Sequence, residues 1–162
     1  MSTYQMKNWR KIDPAEYKLV WDKFYELFKF KPSLTEFPAI VSSLPQLKFD
    51  ISKLYSDNRI IFNELEQIAL DLFIKLSKPS ERLYALDWQH DCYDFDPRLE
   101  MDRNQFDEWI VPILPNGDYY IFLTKDFKNV WFGHPWEMTI TLIGLEIANF
   151  GRSIFSEIDR KK

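Results

Sequence analysis

Residues 118–142 read DYYIFLTKDFKNVWFGHPWEMTITL, and this stretch decides the fold class. Apolar runs at 118–124 and 130–133 flank a polar turn at 125–129, as in two strands joined by a short connection. Over 136–142, apolar residues alternate with Glu137, Thr139 and Thr141, which predicts a half-buried strand. Consecutive strands joined by tight turns pair antiparallel, so the stretch predicts a meandering antiparallel sheet.

Further strands are predicted upstream of this stretch. Asn116-Gly117 lies between the apolar runs 108–114 and 118–124, and Asn-Gly in that setting is the strongest short hairpin signal. Residues 82–93 read as another strand. Alternation over 47–51 predicts a short one.

Three helices complete the prediction. Asp13-Pro14-Ala15-Glu16 combines a capping residue with proline at the first helical position, and apolar residues follow at helical spacing to residue 28. The same spacing recurs over 61–76 and 145–158. The order predicts an α+β fold, an antiparallel meander sheet of about five to six strands with three helices packed mainly on one face. We expect a single domain over 1–162, frayed at about 1–8 and 159–162.

Composition narrows the functional classes. The formal net charge of −4, with no clustered Lys and Arg, argues against nucleic acid. No apolar run has the length of a membrane span, and the first residues do not resemble a signal peptide. A single cysteine excludes an internal disulfide and favours a reducing compartment. We therefore expect a cytoplasmic protein that does not bind membranes.

Two aromatic segments, 84–93 and 131–137, are the place to look for a site. They contain both histidines, the only cysteine and three of the six tryptophans of the chain. We expect the strands at 84–90 and 130–140 to be neighbours in one sheet, which would bring the segments together. The candidate functional cluster comprises Asp87, Trp88, His90, Asp91, Tyr93, His134, Trp136 and Glu137.

Three chemical interpretations of these segments remain open. A metal ion could take His90, Cys92 or Asp91 together with His134 and Glu137, but no familiar ligand spacing is present. Cys92 could be a nucleophile with His134 or His90 as its base. A carboxylate pair such as Asp87 with Glu137 could perform acid–base chemistry. None of these patterns is specific, so we expect no metal, no cofactor and no assigned catalytic residue.

A structural interpretation competes with these three. His134 lies between Gly133 and Pro135, where an imidazole could orient a bend and satisfy backbone groups. Glu137 could accept a hydrogen bond from an indole or a backbone amide.

Two functions of different classes are compatible with these patterns. An acidic surface rich in Trp and Tyr suits a basic protein partner. The small size and the acidic, aromatic-rich composition are similar to those of many bacterial immunity proteins. We therefore favour a non-enzymatic protein-binding domain. The alternative is a small hydrolase with a His/carboxylate site, with or without a metal.

Several motifs together resemble a bacterial family of uncharacterised proteins with a domain of unknown function, seen mostly in Bacillus-like organisms. The motifs are Ala-Leu-Asp-Trp-Gln-His at 85–90, Pro-Asn-Gly-Asp-Tyr-Tyr-Ile-Phe-Leu at 115–123 and Phe-Gly-His-Pro-Trp-Glu at 132–137. The opening residues 16–24 also resemble that family. The resemblance implies a small bacterial cytoplasmic protein of one domain. It implies no particular activity.

Overall fold

Three helices and seven strands make up the described part of the chain. The structure, a computed structural model, describes residues 6–52 and 59–160, with the backbone alone for 59–61 and 154–160. In chain order the elements are β1 (Arg10–Lys11), α1 (Pro14–Phe28), β2 (Gln46–Asp50), α2 (Arg59–Lys75), β3 (Leu83–Asp87), β4 (Tyr93–Phe95), β5 (Tyr120–Thr124), β6 (Val130–His134), β7 (Thr139–Ile143) and α3 (Leu145–Arg160).

The strands form one antiparallel sheet in the order β1-β4-β3-β5-β6-β7-β2. The predicted α+β class is confirmed, with seven strands instead of five to six. The two-residue β1 and the short β4 account for the difference. Both are too short to produce an alternating pattern that a reader of the sequence could recognise.

Helices cover both faces of the sheet. Phe24 and Phe28 of α1 pack against a face that includes Ile121 and Phe132. On the opposite face, α2 and α3 pack against side chains such as Phe122 and Trp131, so two of the three helices share a face. Neighbouring residues of a strand point to opposite faces of the sheet, and helices cover both faces. The central strands β3, β6 and β7 are therefore buried along their whole length.

The predicted hairpin at Asn116-Gly117 is wrong. Residues 108–114 form no regular strand, and β5 pairs with β3 on one side and β6 on the other. Both hydrogen-bonding edges of β5 are therefore occupied, and a strand over 108–114 has no place beside it. Gly117 does adopt a left-handed conformation, with φ of 72°. The local turn preference was correct, but not the pairing inferred from it.

Two further predictions need correction. The strands at 84–90 and 130–140 belong to one sheet but are not neighbours, because β5 lies between β3 and β6. The last strand begins at Thr139, not at Trp136, because residues 135–138 form the turn between β6 and β7. Met138 has φ of 58° in this turn, a conformation that no extended strand contains.

Hydrogen bonds to Asp102 link residues 7–9 to the rest of the chain. Asn8 is buried, and Asp102 accepts hydrogen bonds from the backbone amides of Lys7, Asn8 and Trp9. The frayed ends expected at about 1–8 and 159–162 stay a prediction, and residues 1–5, 161 and 162 lie outside the described part. Within the described residues, no helix combines the length and hydrophobicity needed to cross a bilayer.

Candidate functional site

Asp87, His90 and Asp118 form a cluster at one end of the sheet, and we call it the acidic cluster. Nδ1 of His90 lies 3.1 Å from Oδ1 of Asp87 and 3.4 Å from Oδ2 of Asp118. Strand β3 ends at Asp87, and the bend over 88–90 brings His90 back toward it. Asp118 comes from the segment entering β5, which pairs with β3. The cluster therefore depends on the pairing of two strands.

Backbone amides orient the two carboxylates. Oδ1 of Asp87 accepts a hydrogen bond from the amide of Gln89 at 3.0 Å. Asp118 accepts from the amide of Tyr119 at 2.8 Å and from that of Gln89 at 3.4 Å. The carboxylates are buried, whereas the His90 side chain is 72% exposed. The two carboxylates of the cluster are thus held in place, and the His90 side of the cluster is open to solvent.

Burial and proximity shift the acid–base properties of the cluster. Burial, followed by the neighbouring Asp87, raises the pKa of Asp118 to about 7. The hydrogen bond and negative charge of Asp87 raise the pKa of His90 above its usual value. Burial therefore dominates the shift of Asp118, whereas the nearby carboxylate of Asp87 causes the shift of the exposed His90.

Tyr119 joins the two predicted segments through ring contacts. Its ring centroid lies 5.5 Å from that of Trp88, 5.2 Å from Trp136 and 4.9 Å from His134. The indole Nε1 of Trp88 donates to the hydroxyl of Tyr25 on α1. We call the resulting set of linked rings the aromatic band; its members are Tyr17, Trp21, Tyr25, Phe37, Trp88, Tyr119, His134 and Trp136.

The remaining predicted site residues lie apart from the acidic cluster. Asp91 is exposed and pairs with Lys11. Tyr93 packs edge-on against Trp9, on the face covered by α2 and α3. Glu137 accepts hydrogen bonds from Lys48 and from the hydroxyl of Thr139. Lys48 and Thr139 thus take the place of the indole or backbone amide that was expected to donate to Glu137. The carboxylate beside Asp87 is that of Asp118, not that of Glu137.

Cys92 has the surroundings of a core residue. It is buried, and its thiol contacts backbone groups of Asp87 and His90. Burial raises the pKa of Cys92 to about 11, so little of the reactive thiolate exists at neutral pH. The hypothesis of a Cys92–histidine nucleophile therefore loses its chemical basis.

His134 closes the turn between β6 and β7. Its Nδ1 accepts hydrogen bonds from the backbone amides of Trp136 and Glu137, at 3.2 and 3.1 Å. An Nδ1 that accepts carries a lone pair, so the ring proton is on Nε2. Burial lowers the pKa of His134 to about 4, and the ring is neutral in the folded protein. This geometry is the one that the structural interpretation of His134 requires.

The two histidines contact different groups. His90 faces the carboxylates, and His134 is enclosed by the rings of Phe37, Tyr119, Phe132 and Trp136. A cleft of about 790 Å³ lies elsewhere, lined by residues of α2 and of the segment 99–103. Neither histidine lines this cleft, so it gives no support to a shared histidine site.

Asp118 is the functional candidate that sequence reasoning missed. It follows Asn116-Gly117 at the start of the apolar run 118–124, and the candidate functional cluster predicted from the sequence does not include it. The sequence feature that could have identified Asp118 is an acidic residue at the start of an aromatic strand. This feature is too common to indicate a functional site. Only the register of β3 with β5, in which Asp87 opposes Tyr120, brings Asp118 near Asp87.

The fold and the acidic cluster define a small α+β domain that carries aromatic and acidic groups at one end of its sheet. Residues 11–148 match the family model described as "Protein of unknown function (DUF2716)", and the chain belongs to this family. It is 36% identical over 148 residues to the uncharacterized protein YxiI of Bacillus subtilis strain 168, covering 88% of this chain and 91% of that protein. No solved structure matches the chain. The family resemblance inferred from the motifs is confirmed.

Proposed function

We propose that the protein is a non-enzymatic binding domain that holds a protein partner against the aromatic band. The observation that carries the proposal is the exposed edge of this band. Tyr17, Tyr25 and Phe37 are 36%, 40% and 43% exposed, and Trp88 and Trp136 are half-buried beside them. Tyr and Trp dominate binding interfaces because each buries a large apolar area and still offers a polar tip.

The surroundings of the band support the same proposal. Of the eleven large hydrophobic side chains exposed in the described part of the chain, eight lie between residues 17 and 44. These residues belong to α1 and to the loop that follows it. Clustered exposure of this kind is typical of interaction surfaces, whereas scattered single residues carry no such meaning.

A basic partner fits the charge of the protein. The formal net charge is −4, which attracts cationic proteins over long range and speeds their association. Three lysines of β1 and α1 are engaged in contacts of their own: Lys11 with Asp91, Lys18 with Asp22, and Lys23 with the ring of Phe127. They add little repulsion toward a cation. An immunity-like role is the specific form we favour, in which the domain covers a basic toxin in the cytoplasm.

Selection from a phage-displayed library of random peptides tests this proposal. We expect the immobilised wild-type chain to enrich peptides rich in Arg and Lys. Replacing Tyr25 and Trp88 together with Ala should weaken binding of the enriched peptides by about 10–100-fold, a total loss of about 1.4–2.8 kcal/mol, because Tyr and Trp are frequent hot spots of binding. Isothermal titration of a synthetic peptide measures the loss.

Phe106→Ala is the matched control, because Phe106 is 66% exposed but lies outside the aromatic band. It should bind the enriched peptides as tightly as the wild type. Enrichment of acidic peptides, or equal losses in the control and the double variant, would contradict the proposal.

A hydrolase is the second candidate, favoured by the assembly of two carboxylates and an imidazole in one exposed cluster. One carboxylate could act as a general base toward water while His90 contacts the substrate. Assays with p-nitrophenyl acetate and p-nitrophenyl phosphate test it, with and without added Mn²⁺. Turnover lost in Asp118→Asn but kept in Asp91→Asn would support a hydrolase. Equal background rates in all three proteins would eliminate it for these substrate classes.

A further inference from the structure

We infer that Asp87, His90 and Asp118 bind a divalent transition-metal ion such as Zn²⁺ or Mn²⁺. Each residue offers one ligand atom, and the three atoms lie within 4.8 Å of one another. Ligands bound to one ion at about 2.0–2.2 Å stand roughly 3–3.5 Å apart. The separations of 3.1 and 3.4 Å between His90 Nδ1 and the two carboxylates already fall in this range.

The charge of the acidic cluster favours a cation. Within the described part of the chain, the ion pairs of Asp87 and Asp118 involve His90 and no Lys or Arg. Two adjacent buried carboxylates repel each other and have lost much of their hydration. A bound divalent ion would compensate both charges at once.

The nature of the donors favours a metal ion over the basic side chain of a partner. Nδ1 of His90 points at both carboxylates and donates its proton to them, and a metal ion that binds there displaces this proton and takes the freed lone pair. A lone pair binds a metal ion, and it would also accept a proton. A Lys or Arg side chain would have to share the cluster with a ring that becomes cationic when protonated.

The surroundings of the carboxylates resemble the outer shell of a metal site. The amides of Gln89 and Tyr119 hold the Asp87 and Asp118 oxygens in place, as hydrogen bonds to the ligands of a metal site commonly do. Because the His90 ring is exposed, water can complete the coordination from the solvent side. The expectation of no metal came from spacing along the sequence, whereas the third ligand comes from a different strand.

Metal titration of the tag-free full chain tests this inference independently of the proposed binding function. After treatment with EDTA and its removal, Zn²⁺ is titrated by isothermal calorimetry. Mn²⁺ is followed separately by loss of the free-ion electron paramagnetic resonance signal. We expect about one ion per chain, with affinity reduced at least about 10-fold in both His90→Ala and Asp118→Asn.

Asp91→Asn is the control, since Asp91 is an exposed carboxylate next to His90 in the chain and pairs with Lys11. It should bind the ion as the wild type does. His90→Ala removes an exposed ring and so remains informative even if Asp118→Asn fails to fold, which circular dichroism monitors. Absence of binding in the wild type, unchanged binding in His90→Ala, or an equal loss in Asp91→Asn would overturn the metal site.

Discussion

Gly144→Ala is expected to prevent folding, with a loss of more than about 4 kcal/mol. Gly144 connects β7 to α3 with φ of 127°, a conformation that residues with a side chain rarely adopt. A Cβ atom there would overlap the backbone oxygen of Lys128 and approach Oδ1 of Asn129 to 3.0 Å. The obstacle is mainly backbone, which cannot rotate away as a flexible side chain could.

Neighbouring hydrogen bonds prevent Gly144 from relaxing. Its amide donates to the carbonyl of Pro45, and its carbonyl accepts from Ala148 in the first turn of α3. Asn129 Oδ1 accepts from the amide of Ile147, so displacing Asn129 would also disturb the start of the helix. A shift large enough to admit a methyl group would thus break contacts among β2, β6 and α3.

Gly117→Ala is the matched comparison for this prediction. Gly117 also has positive φ, at 72°, but an added Cβ would meet no atom within 4 Å. Its cost should be about 1–2 kcal/mol, which is the intrinsic penalty of the left-handed conformation. Soluble yield and urea unfolding followed by circular dichroism measure both variants. Similar unfolding midpoints for the two would show that the junction at Gly144 tolerates a side chain.

His134→Ala should lower the free energy of unfolding by about 2–4 kcal/mol at neutral pH. Two causes combine. The backbone amides of Trp136 and Glu137 lose the acceptor Nδ1, and a fully buried ring leaves a cavity among aromatic side chains. Urea unfolding at pH 7.5 measures the change. An unfolding midpoint equal to that of the wild type would mean that the imidazole does not close the turn.

His90→Ala is the control for this second prediction. Its ring is 72% exposed, and the carboxylates it contacts keep their hydrogen bonds to backbone amides. The expected loss is less than about 1 kcal/mol. The chain thus offers two histidines with opposite surroundings, and stability should respond strongly to only one of them.

The pH dependence gives the His134 prediction a second readout. Burial lowers the pKa of His134 from 6.5 to about 4, so the unfolded chain binds a proton in this range while the folded chain does not. The stability due to neutral His134 is present above about pH 6.5 and is lost as the pH falls toward about 4. The difference between wild type and His134→Ala should therefore shrink when unfolding is repeated at pH 5.

Features that depend on a few adjacent residues could be predicted from the sequence alone. The start of α1 is an example, because the Asp13 side chain accepts from the amide of Glu16 and Pro14 suits the first turn. The turn at 125–129 between β5 and β6 is another. Local hydrogen bonds and conformational preferences of this kind involve only residues close together in the chain. The α+β class follows from them.

Strand order and the composition of the site were decided only by the tertiary structure. Asn116-Gly117 encodes a turn, but nothing local encodes that β3 and β6 occupy both edges of β5. Asp118 and Tyr119 acquire their roles from that arrangement, one beside Asp87 and the other between Trp88 and Trp136. Residues of β3 and β5 pair across 33 to 41 positions of the chain. Such pairing depends on burying both faces of the whole sheet, and alternation within one strand does not specify which strand lies beside it.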